Sequence, residues 1–188
     1  MNNNQYVIVL TGAAGTGKTS VQDYLQQKYG IPRVITHTTR PPRPGEKNGV
    51  EYYFETDASF AKLHLLEKVE YAGHQYGSSW EAIHRALQQN NIVSIVLDTK
   101  GAITYKKELG KHAIVLFMQV DNQNELRQRM LKRGDKPAAV EHRITSKEDI
   151  RDLVLPKQLV GKAEIINNEN WQQTEIQLDN IIKKLTDN

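Results

Sequence analysis

A chain of 188 residues is long enough for one well-buried domain and short for two. Its 38% hydrophobic and 25% charged residues are those of a folded globular protein, which sets aside disordered and fibrous classes. The absence of cysteine removes disulfides, thiol catalysis and cysteine zinc sites, and a formal net charge of +3 is too small to argue for a nucleic-acid partner.

No apolar run approaches the roughly 20 residues that span a bilayer. Met1-Asn2-Asn3-Asn4 lacks the charged and apolar regions of a secretion signal. A cytoplasmic protein without membrane contact is therefore expected. His37, His64, His74, His84, His112 and His142 show no paired metal-ligand spacing and read as surface or packing residues.

The apolar segment Tyr6 to Thr11 reads as a buried strand, followed by Gly12-Ala13-Ala14-Gly15-Thr16-Gly17-Lys18-Thr19 and a helix from Lys18 to Tyr29 that stops at Gly30. The spacing G-x-x-x-x-G-K-[ST] between strand and helix is that of a phosphate-binding loop. Its glycines let successive backbone N–H groups face phosphate oxygens, Lys18 reaches the β- and γ-phosphates, and Thr19 offers its hydroxyl to Mg²⁺. The composition leaves a ligand-free glycine turn as the alternative, and the strand and helix on either side argue against it.

Arg33 to Thr36 is a short β-like run, and Pro41, Pro42 and Pro44 make His37 to Gly49 a loop. Val50 to Phe54 reads as strand, Asp57 as the cap of a helix over Ala58 to Leu66, and Val69 to Tyr76 as strand with Gly77 as its turn. Ser78-Ser79-Trp80-Glu81 has capping-box spacing before a helix to about Gln89. Residues 33 to 78 thus form a small, mostly β insertion.

Ile92 to Leu97 and Ala113 to Val120 are apolar runs expected as buried parallel strands, with a crossover helix over Ala102 to Leu109 between them. Asp98 ends the first run, where it holds Mg²⁺ through water or caps the next helix; the phosphate loop's need for a metal partner favours the former. Helices are expected over Asn122 to Arg133 and Ala138 to Leu155, broken at Gly134 to Pro137. A strand over Ala163 to Ile166 and an amphipathic helix over Asn170 to Leu185 follow. The alternation predicts an α/β fold, a parallel sheet flanked by helices, with its ligand site at the carboxyl ends of the strands.

Phosphoryl transfer needs cations, and the chain offers Lys18 in the loop, Arg40 and Arg43 in the proline-rich segment, and Arg129, Arg133 and Arg143 around the Gly134 break. Arg129 and Arg133 are four residues apart and share a helix face. A basic face beside a Gly-Asp-Lys-Pro break suits a lid that closes over ATP, although a solvated helix face has the same pattern.

The segment Thr36-His37-Thr38-Thr39-Arg40-Pro41-Pro42-Arg43-Pro44-Gly45-Glu46-Lys47-Asn48-Gly49-Val50-Glu51-Tyr52-Tyr53-Phe54 resembles the GMP-binding pattern of the guanylate kinase family, and the resemblance extends over nearly the whole chain. Tyr76-Gly77-Ser78-Ser79, with Glu67 before it, is similar to the family's second GMP-binding stretch. The resemblance implies that Arg40, Arg43, Tyr52 and Tyr76 hold the GMP phosphate, Glu46 braces their loop, and Thr36, Glu67 and Ser78 read guanine. It further implies that Lys18, Arg129, Arg133 and Arg143 act on the transferring group, with Asn167 beside the donor adenine. The implied enzyme is a monomer or homodimer binding the small nucleotides ATP and GMP, with Mg²⁺. It comprises a core of residues 5–32, 92–125 and 156–188, an acceptor-binding insertion of 33–91 and a helical lid of about 126–155.

Two departures stand out. The family usually has a second aspartate after the one matched by Asp98, which helps bind the acceptor nucleoside; here Asp98-Thr99-Lys100-Gly101 is shorter and lacks it. The lid carries Gly134-Asp135-Lys136-Pro137-Ala138-Ala139 in place of an acidic, threonine-rich run. A kinase of the same fold acting on another nucleoside monophosphate or a sugar phosphate remains the first alternative, and a non-catalytic binding module the second.

Overall fold

The computed structural model describes the chain except Pro44, Ala72 and Asn188 and the side chains of Tyr71 and Gln123. Strand β1 (Tyr6–Thr11) lies at the centre of the main sheet, and Val7 to Leu10 are wholly buried because both faces are covered. The alternation of a strand divides them: Val7 and Val9 enter one apolar layer, Ile8 and Leu10 the other. The phosphate loop follows, then α1 (Lys18–Tyr29).

β6 (Ile92–Val96) and β7 (Ala113–Gln119) flank β1 in parallel register, Val7 pairing with Val93 and Ala113, and β8 (Ala163–Asn167) completes the order β6-β1-β7-β8. α4 (Thr99–Leu109) covers the first layer; α1 and α8 (Trp171–Thr186) cover the second. The chain leaves β1 for β6 on one side and returns to β7 on the other, so the crevice opens at the carboxyl end of β1, as the sequence predicts.

Between α1 and β6 a second sheet forms, in the order β3-β2-β5-β4: β2 (His37–Thr38), β3 (Tyr53–Phe54), β4 (Leu65–Tyr71) and β5 (His74–Ser79). Several expectations are corrected here. The helix expected over Ala58 to Leu66 is a single turn, α2 (Asp57–Phe60), capped by Thr56 rather than Asp57, because Thr56 and Ser59 exchange reciprocal capping bonds. The chain then turns extended, since Leu65 to Tyr71 has a partner strand to pair with.

The hairpin turn contains Gly73 at φ 74° rather than Gly77; Ala72, inside the expected strand, lies outside the described residues. Gly77 sits within β5 opposite Lys68, where a Cβ would come 2.8 Å from the Glu67 carbonyl oxygen. Val50 to Tyr52 stay irregular, and Arg33 to Thr36 contribute only an isolated bridge from Arg33 to Ser94. The segment expected as loop from His37 to Gly49 opens instead with β2 at His37 and Thr38, which pair with β3 and β5, and only the prolines' part beyond is irregular, Pro44 lying outside the described residues.

α3 (Trp80–Leu87) is capped by Ser79, whose hydroxyl accepts from the Ala82 N–H, while Glu81 turns to His64. α4 begins at Thr99, earlier than expected, because Asp98 caps it. After α5 (Gln123–Lys132) the chain breaks at Gly134, at φ 97°. The expected single helix beyond is two: α6 (Pro137–Ile144) and α7 (Lys147–Asp152), separated where Ser146 starts a new cap by accepting from the Asp149 N–H.

Candidate active site

The loop after β1 is shaped by positive-φ glycines. A Cβ at Gly12 would meet the Met118 carbonyl oxygen at 2.2 Å, and one at Gly17 would meet Asn168 Nδ2 at 2.2 Å, so neither position admits a side chain. Asn168 Nδ2 donates to the Thr16 carbonyl at 2.9 Å, and Thr16 Oγ1 donates to the Ala13 carbonyl at 2.9 Å. The loop is therefore tied to the end of β8 as well as to itself.

Lys18 Nζ donates to the Gly12 and Ala13 carbonyls, each at 2.6 Å. Burial brings its pKa down to about 8 against the pull of Asp149 and Asp152, with Arg143 and Arg133 also lowering it. The Ala14 N–H, one of the loop donors suited to phosphate, is taken by Asp149 Oδ1 at 2.6 Å. A carboxylate of α7 thus occupies an anion-binding position of the loop.

Two cavities meet at this lysine. The larger, about 800 Å³, is walled by Gly15, Gly17, Lys18, Thr19, Arg129, Arg133 and Arg143, with Asn168 and Trp171 at one end. The smaller, about 420 Å³, is walled by Thr36, Tyr52, Glu67 and Tyr76 from the second sheet and by Asp98, Asp149 and Asp152. Lys18 and Arg143 line both.

Of the cations expected around the lid, Arg129 is held by Glu125 and by the Asn168 carbonyl at 2.8 Å, and Arg133 is paired with Asp135. Arg143 has no ion-pair partner among the described residues and faces both cavities. Arg127 of α5 binds Glu141 of α6 at 2.5 Å, tying the two lid helices together.

In the acceptor segment, Arg40 and Glu46 form a two-pronged pair at 2.9 and 3.0 Å, and Glu46 Oε2 also accepts the Arg43 N–H at 2.6 Å. The Arg40 contact and then the Arg43 N–H hold the Glu46 carboxyl below the usual range. Arg40 lies 5.6 Å over the Tyr52 ring, which in turn meets Tyr76 edge-on at 6.0 Å. Tyr52 and Tyr76 form part of the cavity wall, and Arg40 and Arg43 are not among the residues that line it.

Glu67 faces the cavity; burial, and secondarily the Asp98 charge, pushes its carboxyl up to about 7. Ser78 is fully buried behind it, with Oγ 3.5 Å from Glu67 Oε2. Asp98 realises the capping alternative: Oδ1 accepts the Gly101 N–H at 2.7 Å and Oδ2 the Arg151 guanidinium at 2.8 Å. Asn167 ends β8 exposed and outside the cavity wall. Its neighbour Asn168 is the one turned inward, because the pleat reverses direction at each residue and Asn168 is pinned by Thr16 and Thr174.

The sequence places α7 inside the one helix expected over Ala138 to Leu155 and gives no sign of what it touches. Asp149 on the loop, Arg151 on Asp98, and Asp152 accepting from Thr99 Oγ1 at 2.5 Å seat this one-and-a-half-turn helix against the phosphate loop and in the wall of the smaller cavity. Nothing in the composition of Lys147 to Asp152 distinguishes it from a solvated acidic helix.

Two cavities sharing a phosphate-loop lysine are what direct transfer between two bound phosphorylated substrates requires, which puts the chain among the P-loop kinases of small phosphorylated acceptors. The family model described as guanylate kinase matches residues 4–185. The guanylate kinase of Thermus thermophilus is 35% identical over 155 residues, covering 79% of this chain and 70% of that one. That of a Synechococcus species is 33% identical over 187 residues, covering 94% and 81%. The crystal structure of guanylate kinase from Anaplasma phagocytophilum superposes with a TM-score of 0.63 at 23% identity, covering 96% of this chain and 85% of that one, and so shares the fold. The chain belongs to the guanylate kinase family. It is a nucleotide-binding kinase that phosphorylates GMP at the expense of ATP.

Proposed function

We propose that ATP binds in the larger cavity and GMP in the smaller, and that the γ-phosphoryl group passes in line between them beside Lys18 and Arg143. The observation that carries this is that both cations line both cavities. Phosphoryl transfer asks mainly for alignment and for neutralisation of spreading negative charge, so cations at the junction serve it directly. Arg129 and Arg133 enter from the donor side of the lid. Residues 126–155 close over the core formed by 5–32, 92–125 and 156–188, with 33–91 as the acceptor insertion.

On the acceptor side, Arg40, Arg43, Tyr52 and Tyr76 hold the GMP phosphate, with Glu46 fixing the two arginines. Ionised Glu67 accepts the paired N1–H and amino donors of guanine, supported by Ser78 and Thr36; adenine presents no such pair. Asn168, rather than Asn167, stands beside the donor base. A phosphate oxygen reaches the Ala14 N–H only after Asp149 has left it, so donor binding begins with α7 withdrawing.

Mg²⁺ fits this site through the Thr19 hydroxyl, which is exposed in the larger cavity without a hydrogen bond among the described residues. Among the described residues no group of three or more acidic or histidine side chains could hold a metal alone, so most of its ligands would be phosphate oxygens and water. Asp98 would serve through water once Arg151 releases it. Held there by Thr19, the ion would supply positive charge against the phosphates of the donor. Among the described residues no helix is long and apolar enough to cross a membrane, and the reading is of a cytoplasmic monomer or homodimer.

The missing aspartate at Lys100 favours a second reading, a kinase with a different phosphorylated acceptor. An ADP-release assay over a panel of nucleoside monophosphates and sugar phosphates decides: GMP is expected to be turned over fastest. Faster turnover of a non-guanine acceptor would replace GMP in this scheme, and nucleotide binding without turnover of any acceptor would make the chain a binding module.

A further inference from the structure

Tyr105 of α4 is wholly buried in the apolar layer beneath the second sheet, among Leu66, Ala82 and Ile83, yet its hydroxyl has no hydrogen-bond partner. Phenylalanine would satisfy the packing without stranding a polar atom, and an unpartnered buried hydroxyl is unfavourable. Its surroundings are specific: the hydroxyl lies by Ser78 and within electrostatic reach of Glu67. Ser78 is itself fully buried, and its contact to Glu67 is slack at 3.5 Å. Three side-chain oxygens therefore gather behind the acceptor cavity with one marginal hydrogen bond among them.

Helix α4 is built against this group. Gly101 and Tyr105 are one turn apart on one face, and a Cβ at Gly101 would come 3.3 Å from Glu67 Cγ. The helix thus gives the Glu67 stem room at one turn and presents a hydroxyl at the next. Ser78 can accept from Tyr105 while donating to Glu67, which makes a directed chain of donors ending on the carboxylate.

We propose that Tyr105 is a positioning residue for acceptor recognition: once guanine engages Glu67, the Tyr105 hydroxyl donates to Ser78, and the chain Tyr105 to Ser78 to Glu67 tightens to fix the carboxylate's orientation. The inference rests on Glu67 reading the acceptor base. In the free enzyme the hydroxyl waits unpaired, and binding supplies the order that pairs it.

The test is Tyr105→Phe, alone and combined with Ser78→Ala, in steady-state assays with ATP and GMP and in thermal melts. Tyr105→Phe is expected to raise the KM for GMP about three- to tenfold, the loss of one hydrogen bond between neutral hydroxyls in a chain that ends on the carboxylate. The kcat at saturating GMP and the KM for ATP should change less than twofold, while Tm holds or rises. In the Ser78→Ala background it should add nothing further, because the chain is already cut. An unchanged KM for GMP would overturn the assignment, as would additive losses in the double variant or a lowered Tm with kcat and both KM values impaired together. Wild-type turnover of GMP beside any of these outcomes would leave the acceptor assignment standing and remove only Tyr105. Wild-type failure to use GMP would remove both.

Discussion

The two cavities are built from different materials. The proposed donor side is founded on backbone, with the cations Lys18, Arg129, Arg133 and Arg143 set around it: the N–H groups of a glycine loop are fixed because β1 is buried on both faces and because the Met118 carbonyl and Asn168 leave Gly12 and Gly17 no room for a Cβ. The acceptor side is made of side chains on short strands, where β2 and β3 have two residues each, and its geometry depends on contacts such as Arg40 with Glu46 and Tyr52 with Tyr76. A backbone site tolerates little and specifies a phosphate. A side-chain site can be retuned residue by residue and specifies which acceptor receives it.

The contrast predicts unequal damage. Lys18→Ala removes one of the two cations common to both cavities and should lower kcat by about a thousandfold or more. Its fold, read by circular dichroism, should be unchanged; retention of rate would separate the two cavities functionally. Glu67→Gln should weaken GMP by about a hundredfold or more while ATP binding stays level, since a buried acceptor pair is lost on one side only. Comparable losses for both nucleotides would erase the distinction between the halves.

The same variant has a signature in stability. The Glu67 carboxyl titrates at about 7 in the folded protein against an ordinary 4.5, so the folded state holds a proton that the unfolded chain has released between those values. Wild-type stability therefore falls as pH rises from 4.5 to 7 and levels off above. Glu67→Gln should melt higher than wild type at pH 8 and equally at pH 4, and GMP affinity of the wild type should fall as pH drops below 7. Ser78 and Tyr105 also face this carboxyl, and Asp98 is the charge that adds to its shift.

The smallest effect should come from Asp149→Ala. Freeing the Ala14 N–H removes an internal competitor of phosphate, and ATP affinity by calorimetry should improve about three- to tenfold. Weaker binding would mean that Asp149 assists the donor rather than excluding it.

The same division governs what could be read without coordinates. β1, β6 and β7 and the phosphate loop were legible because apolar runs and glycine spacing are local signals that burial reinforces. The hairpin of β4 and β5 was not: Leu65 to Tyr71 carries a helical cap signal upstream, and only pairing with His74 to Ser79 makes it extended. The acceptor residues were legible through resemblance, not periodicity, since Thr36, Glu67 and Tyr76 converge from three segments with no common spacing. The contacts of α7 and the place of Tyr105 escaped, one belonging to a short acidic helix and the other to an aromatic residue at core spacing. Lys100 is the remaining departure with no structural explanation.

Helix α7 touches Ala14 on the donor side and Asp98 and Thr99 on the acceptor side through three residues in four. In the scheme proposed above, a nucleotide that displaced α7 from one side would loosen its hold on the other, and thermodynamic reciprocity would then make ATP and GMP favour each other's binding by one and the same factor. A six-residue helix would in that scheme couple the two sites.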